Sequence, residues 1–253
     1  MKKSIVATAI CLVSVLIVCA LGGYTTVLAE KRKVPIYSVD TTQKAVSISF
    51  DAAWGADKTL QILDVCDQYN VKATFFLVGF WVDKFPDMVA EIDRRGHEIG
   101  THSQTHPQMS KLSQSQVATE LQSSSNKISA ITGKPVVLFR PPFGDYNNQL
   151  LEVAESLGLY TIQWSVDSLD WKGISAQQIA SRVNLAKQGD VILCHNNSDH
   201  IVQALPAIFL ALQSKGLTFV PIGELIYKTN YTVDHQGVQR PNLPTESKSK
   251  EKL

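Results

Sequence analysis

The stretch from Ala45 to Val78, AVSISFDAAWGADKTLQILDVCDQYNVKATFFLV, decides the fold. It opens on a β-rich run, Ala45 to Phe50, and closes on another, Ala73 to Val78. Between them Leu60, Leu63 and Cys66 fall at helical spacing. Strand, helix and strand in that order predict a unit of a parallel sheet. Further β-rich runs follow at His97 to Thr101, Val136 to Phe139, Tyr160 to Trp164, Val191 to Cys194 and Leu217 to Pro221. Helical faces lie between them: Val117, Leu121, Ile128 and Ile131; Leu150, Val153, Ala154 and Leu157; Ile201, Leu205, Ile208 and Leu212. Gly96, Gly133, Gly158, Gly189 and Gly216 stand where a helix would stop before the next strand. About seven such units in roughly 180 residues predict an α/β fold, a small distorted β/α barrel rather than an open doubly wound sheet. No glycine-rich phosphate loop follows any strand, which counts against dinucleotide binding.

Outside this body the chain changes character. Lys2 and Lys3 precede an uncharged apolar run from Ile5 to Leu21, the layout of an export signal, and Val27-Leu28-Ala29 resembles a small-residue cleavage site. The run of about 17 residues also reaches the lower limit for a membrane span, so residues 1–29 read as a signal peptide or a membrane anchor. Either reading places the rest of the chain outside the cytoplasm, the anchor by the positive-inside tendency. Residues 30–43 read as a linker, 44–226 as the working domain, and 227–253 as a polar, disordered tail.

The 253 residues carry 24 Lys plus Arg against 23 Asp plus Glu, a net charge of +1, which argues against nucleic acid as a partner. Removing residues 1–29 takes two lysines and leaves 22 basic against 23 acidic residues, so charge still names no partner. Two of the four cysteines, Cys11 and Cys19, lie in the apolar run, which excludes a disulfide scaffold; Cys66 and Cys194 read as small core residues.

In parallel α/β folds the chemistry collects at the C-terminal ends of the strands, and here five of the runs end in polar residues. They end at Ser49-Phe50-Asp51, at Thr101-His102 with His106 four residues on, at Arg140-Pro141-Pro142-Phe143-Gly144, at Asp167 to Trp171, and at Cys194-His195-Asn196. Each has an ordinary explanation. His102 and His106 could ligate one metal from a single helical turn, and two surface histidines give the same spacing. Asp51 could cap a helix, although Asp57 is better placed to do so. Arg140 could form a surface ion pair, His195 could be a satisfied core histidine, and Asp167 and Asp170 could be turn residues. Those readings weaken together, because they require coincidence at five separate strand ends.

The ordered set Ser49-Phe50-Asp51, His102-xxx-His106, Arg140 to Gly144, Asp170-Trp171 and Leu193-Cys194-His195 resembles the five motifs of the polysaccharide deacetylases of carbohydrate esterase family 4, the NodB-homology domain. With the export segment and the form Asp51-Ala52-Ala53-Trp54-Gly55, the chain looks most like the sporulation-associated members. The resemblance implies a distorted β/α barrel and metal-dependent deacetylation of N-acetylated amino sugars in peptidoglycan or a chitin-like polymer. It implies Asp51 as general base, His102 and His106 as ligands of a divalent metal, zinc first, and Arg140 as the partner of the base. It further implies the Phe143 backbone N–H as an oxyanion donor, His195 as general acid oriented by Asp170, and Trp171 and Leu193 as groove-lining residues. These roles suit the chemistry, since an amide needs a polarised carbonyl, an activated water and a proton for the departing amine.

One position departs from the family. The second aspartate of the first motif, which completes the metal triad, is Ala52 here. Three consequences are open: two histidines hold the metal with waters, Asp51 itself turns to the metal, or no metal binds firmly. Beside the enzyme stands a second reading, a catalytically silent glycan-binding protein of the same fold. Hydrolysis of an O-acetyl group would use the same parts.

Overall fold

The strand that opens the deciding stretch lies inside the sheet, with a parallel neighbour on each side. The structure, a computed structural model, describes residues 31–242. The N-terminal apolar run, its candidate cleavage site, Cys11, Cys19 and residues 243–253 lie outside the described residues. Among the described residues no helix is long and apolar enough to cross a membrane.

The strands are β1 (Ser38–Val39), β2 (Ala45–Ala52), β3 (Thr74–Leu77), β4 (Glu98–Thr101), β5 (Leu138–Phe139), β6 (Tyr160–Thr161), β7 (Val166–Asp167), β8 (Val191–His195), β9 (Thr218–Phe219), β10 (Tyr231–Val233) and β11 (Val238–Pro241). The helices are α1 (Thr59–Gln68), α2 (Gly79–Lys84), α3 (Pro86–Arg94), α4 (Gln114–Thr132), α5 (Asn148–Ser156), α6 (Ala176–Val183), α7 (Ile201–Ser214) and α8 (Ile222–Leu225). Seven strands make a curled parallel sheet in the order β6-β5-β4-β3-β2-β8-β7, with β9 pairing the first residues of β2. This is the expected α/β architecture, left open as a half-barrel between β6 and β7.

Alternation along β2 explains its two faces. Val46, Ile48, Phe50 and Ala52 enter the main core beneath the helices, whereas Ser47, Ser49 and Asp51 point the other way. Both serines are fully buried and satisfied, Ser47 donating to the Val220 carbonyl at 2.6 Å and Ser49 to the Ile192 carbonyl at 2.7 Å. The concave side is filled by a second cluster that includes Ile36, Phe76, Leu138, Ile162, Val191 and Ile222. The barrel interior is therefore a packed core that closes the site from below.

Helix ends follow local rules. The capping box Ser113/Gln116 opens α4, and Gly133 closes it in the left-handed conformation at φ 69°. All five glycines expected at helix stops have positive φ. At Gly189 the requirement is also steric, since a Cβ would lie 1.9 Å from the Val39 carbonyl oxygen.

Several expectations are corrected. The α1 face is Thr59, Ile62, Leu63 and Cys66, with Leu60 44% exposed. Its N-cap is Lys58, without a side-chain bond, so neither Asp57 nor Asp51 caps it. The run Leu217 to Pro221 does carry a strand, β9, but the seventh member of the sheet path is β7, only two residues long. Residues 36–39 are no free linker. Ile36 donates to the Thr161 carbonyl and accepts from Gln163 N–H, while Val39 donates to Gly189, so this segment stitches the gap between β6 and β8. The tail begins later than expected: residues 231–241 form β10 and β11, and β11 pairs with β1. Its polar composition misleads because Gln239 is fully buried and satisfied by both backbone groups of Tyr227, at 2.9 and 2.8 Å. Cys66 and Cys194 are free and buried, as read from the sequence.

Candidate functional site

Asp51 and His195 are direct register partners on the adjacent parallel strands β2 and β8. Adjacent strands lie about 4.8 Å apart, so this pairing alone puts the two groups side by side at one strand end. Each has a buried companion of opposite character.

Arg140, immediately after β5, is fully buried. Its Nη1 donates to Asp51 Oδ1 and to Ser49 Oγ, both at 2.8 Å, and its Nη2 donates to the Gln163 carbonyl at 3.1 Å. The guanidinium lies 4.2 Å from the centre of the Phe76 ring. Gly100 makes room for that ring, because a Cβ there would meet it at 2.7 Å. Burial pushes the Asp51 carboxyl up, but the charges of Arg140, His102 and His195 outweigh it and hold the group below its ordinary value. Replacing Arg140 with leucine leaves a buried carboxylate unpaired, and we expect a loss of about 3–5 kcal/mol in urea unfolding. The double variant Arg140→Leu/Asp51→Leu recovers part of that loss if the pair is the cause.

Asp170 is buried in the short helical turn Asp170–Lys172. Its Oδ1 lies 2.7 Å from His195 Nδ1, and its Oδ2 accepts the His195 backbone N–H at 2.8 Å. Burial lowers the imidazolium's pKa, yet the hydrogen bond and charge of Asp170, with Asp51 adding to them, raise it above the ordinary histidine value. With Nδ1 committed, Nε2 is the ring atom free to exchange a proton with a ligand.

His102 and His106 do not sit on a helical turn. The segment after β4 is a loop in which Ser103 and His106 take positive φ, 70° and 59°. Such conformations are costly for residues with side chains and persist where the surroundings fix them. Here Glu120 on α4 accepts the backbone N–H groups of Gln104 and Thr105, each at 2.8 Å, and Ser103 Oγ accepts that of His106 at 2.9 Å. The imidazoles end 4.8 Å apart between centres. Burial depresses both: His102 falls below its ordinary value and His106 falls to about 4, so both are neutral at pH 7.

These two rings have the chemistry of metal ligands. His102 Nδ1 is 2.7 Å from the Arg140 carbonyl oxygen and must donate to it, which leaves Nε2 unprotonated. That Nε2 faces Asp51 Oδ2 at 3.5 Å. Two acceptors facing each other fit a cation. The set is short of a ligand, however. Position 52 offers only a buried methyl group, and among the described residues no three His, Cys, Asp or Glu side chains are grouped to hold a metal ion by themselves.

Phe143 sits in the turn after Arg140 at φ 60°, with its ring 68% exposed and 4.5 Å from that of His106. Trp171 is exposed, whereas Leu193 is 3% exposed and forms floor rather than groove wall. Sequence reasoning gave no role to Ser49, Gln163 or Glu120. Ser49 was visible as the polar alternate of Asp51 on β2; Gln163 holds Arg140 through its backbone carbonyl and Gly144 through its side chain, and Glu120 acts from a distant helix, so neither leaves a local signal. A cavity of about 310 Å³ lies elsewhere, lined by Asp93, His97, Glu98 and Lys134 near the start of β4. Glu98 there is engaged by Thr74 and Gly223, each at 2.8 Å.

Known proteins are similar to this chain in sequence and fold. The polysaccharide deacetylase family matches residues 38–162. A peptidoglycan-N-acetylglucosamine deacetylase of Bacillus cereus is 33% identical over 206 residues, 79% of this chain and 75% of that protein. One from Listeria monocytogenes is 36% identical over 199 residues, 78% of this chain but only 42% of its own length. Among solved structures, a family 4 pseudoenzyme from Bacillus anthracis superposes with a TM-score of 0.74 at 32% identity, over 77% of this chain and 69% of its own. A mutant of that pseudoenzyme with restored enzymatic activity has been solved as well.

Proposed function

The chain belongs to the polysaccharide deacetylase family, and from that membership we propose that it is an exported hydrolase removing N-acetyl groups from amino sugars of peptidoglycan or a related polymer. The observation that carries the reading is the pair of buried couples, Asp51 with Arg140 and His195 with Asp170, side by side on β2 and β8. In the proposed reaction Asp51, kept ionised by Arg140, takes a proton from the attacking water. The Phe143 backbone N–H stabilises the oxyanion that forms on the amide carbonyl. His195, kept protonated by Asp170, gives its Nε2 proton to the departing amine, and acetate and a free amino sugar result. A divalent metal, zinc first, held by His102 and His106, supplies when bound a polarised carbonyl and a more acidic water. Trp171 lines the sugar groove.

Lys2, Lys3 and the apolar run behind them support export, with the segment either cleaved after Ala29 or kept as an anchor. The first-motif form around Trp54 supports a role in the wall made during sporulation.

Ala52 favours a second reading, a silent glycan-binding protein, because the metal set lacks a ligand. The purified protein with added Zn²⁺ is expected to release acetate from an N-acetylglucosamine oligomer, and chelation should stop the release. Retained oligomer binding with no acetate at any metal concentration would instead establish the silent reading.

A further inference from the structure

The large apolar side chains exposed among the described residues divide by place. Leu60, Leu185 and Leu210 lie on or beside the outer helices, whereas Trp54, Phe143 and Trp171 all follow strand ends around His106 and His195. Phe143 and Trp171 already have roles of their own; Trp54, although it lies in the first motif, has none. Its indole is 62% exposed and rests on the half-buried Phe80, with ring centres 5.1 Å apart. The backbone beneath it is fixed. The carbonyl of Gly55 accepts from Trp81 Nε1 at 2.6 Å and from Asn196 Nδ2 at 3.0 Å. Asn196 directly follows His195, and Ser198 beyond it donates to the Asp170 carbonyl at 2.9 Å. Trp54 and Trp171 are thus tied to opposite sides of the loop that follows His195. Their parent strands β2 and β7 are separated by β8 alone, a spacing of about 10 Å.

We propose that Trp54, braced by Phe80, is the stacking platform of a second sugar subsite, which takes the ring of an N-acetylglucosamine unit next to the one being deacetylated. An exposed indole held in advance offers its apolar face to the C–H face of a pyranose and loses little freedom on binding. A platform on each side of His195 selects a chain of sugars over a single one. This inference rests on the proposed carbohydrate substrate and is independent of metal and of turnover.

Binding of the β-linked N-acetylglucosamine tetramer and of the monomer is measured by titration calorimetry on wild type, Trp54→Ala, Trp54→Phe and Phe80→Ala. Trp54→Ala is expected to weaken tetramer binding about 3- to 10-fold, the size of one lost aromatic contact, with the monomer unchanged. Trp54→Phe should restore most of the loss, and Phe80→Ala should weaken the tetramer in the same direction by less. An unchanged tetramer affinity in Trp54→Ala, or equal weakening of tetramer and monomer, overturns the subsite while leaving the deacetylase reading intact. Failure of the wild type to bind either sugar rejects both.

Discussion

His195→Ala is expected to lower kcat for acetate release about 10²- to 10⁴-fold, the usual contribution of a positioned general acid, and to lower the unfolding midpoint as well, because the buried Asp170 carboxylate loses its partner. The imidazole is partly exposed, so its loss opens no deep cavity, but it leaves the departing amine without a proton. The pH profile identifies the group. Asp170 raises the imidazolium's pKa, so the active protonated form is lost as pH rises through a value above the ordinary histidine one. Arg140 holds Asp51 below its ordinary value, so the base fails only in strong acid. Asp170→Asn removes the charge that raises His195, and the alkaline limb of kcat/KM should move to lower pH while the acid limb stays. An alkaline limb that does not move would assign it to some other group. Hydrolysis of an ester depends less on leaving-group protonation, so the loss in His195→Ala should be smaller on an O-acetylated substrate.

Ala52→Asp is expected to tighten Zn²⁺ binding about 10²- to 10³-fold. Structural four-ligand zinc sites bind with about 10–16 kcal/mol, or roughly 2.5–4 per ligand. The same substitution places a carboxylate at a position with no exposed surface. Without metal the variant should therefore unfold more easily than wild type, by several kcal/mol, and added Zn²⁺ should recover the difference. Metal affinity follows from competition with a chromogenic chelator, and stability from urea unfolding with and without Zn²⁺. Ala52 packs with Val46, Ile48 and Phe50 on the helix side of β2, so the gain requires the strand end to turn the new carboxylate toward the histidines; unchanged affinity would mean that it stays on the helix side.

The sheet was legible wherever strands are apolar runs of four or more residues, as at Ala45 to Phe50, Ala73 to Val78 and Val191 to Cys194. It was not legible at β1, β7, β10 and β11, whose few residues lie in mixed polar sequence with no apolar run around them. The segment around Ile36 reads as linker because its order comes from backbone bonds to Thr161, Gln163 and Gly189, which any side chain permits. The site was legible where chemistry sits in side chains at strand ends: Asp51, His102, Arg140, Asp170 and His195 all converge. The pairing that matters most, Arg140 with Asp51 and Ser49, spans 89 and 91 residues of sequence, and only the curl of the sheet reveals it. The histidine spacing suggested a helical turn, yet two left-handed residues bring the rings together, a geometry that their identities do not announce.

The most direct test of the account counts products. Purified protein with Zn²⁺ and an N-acetylglucosamine oligomer is assayed for acetate and for newly formed primary amine in the same sample. The account predicts both, in equal amounts. Acetate from an O-acetylated wall polymer without any new amine, or no acetate from either substrate, would contradict it.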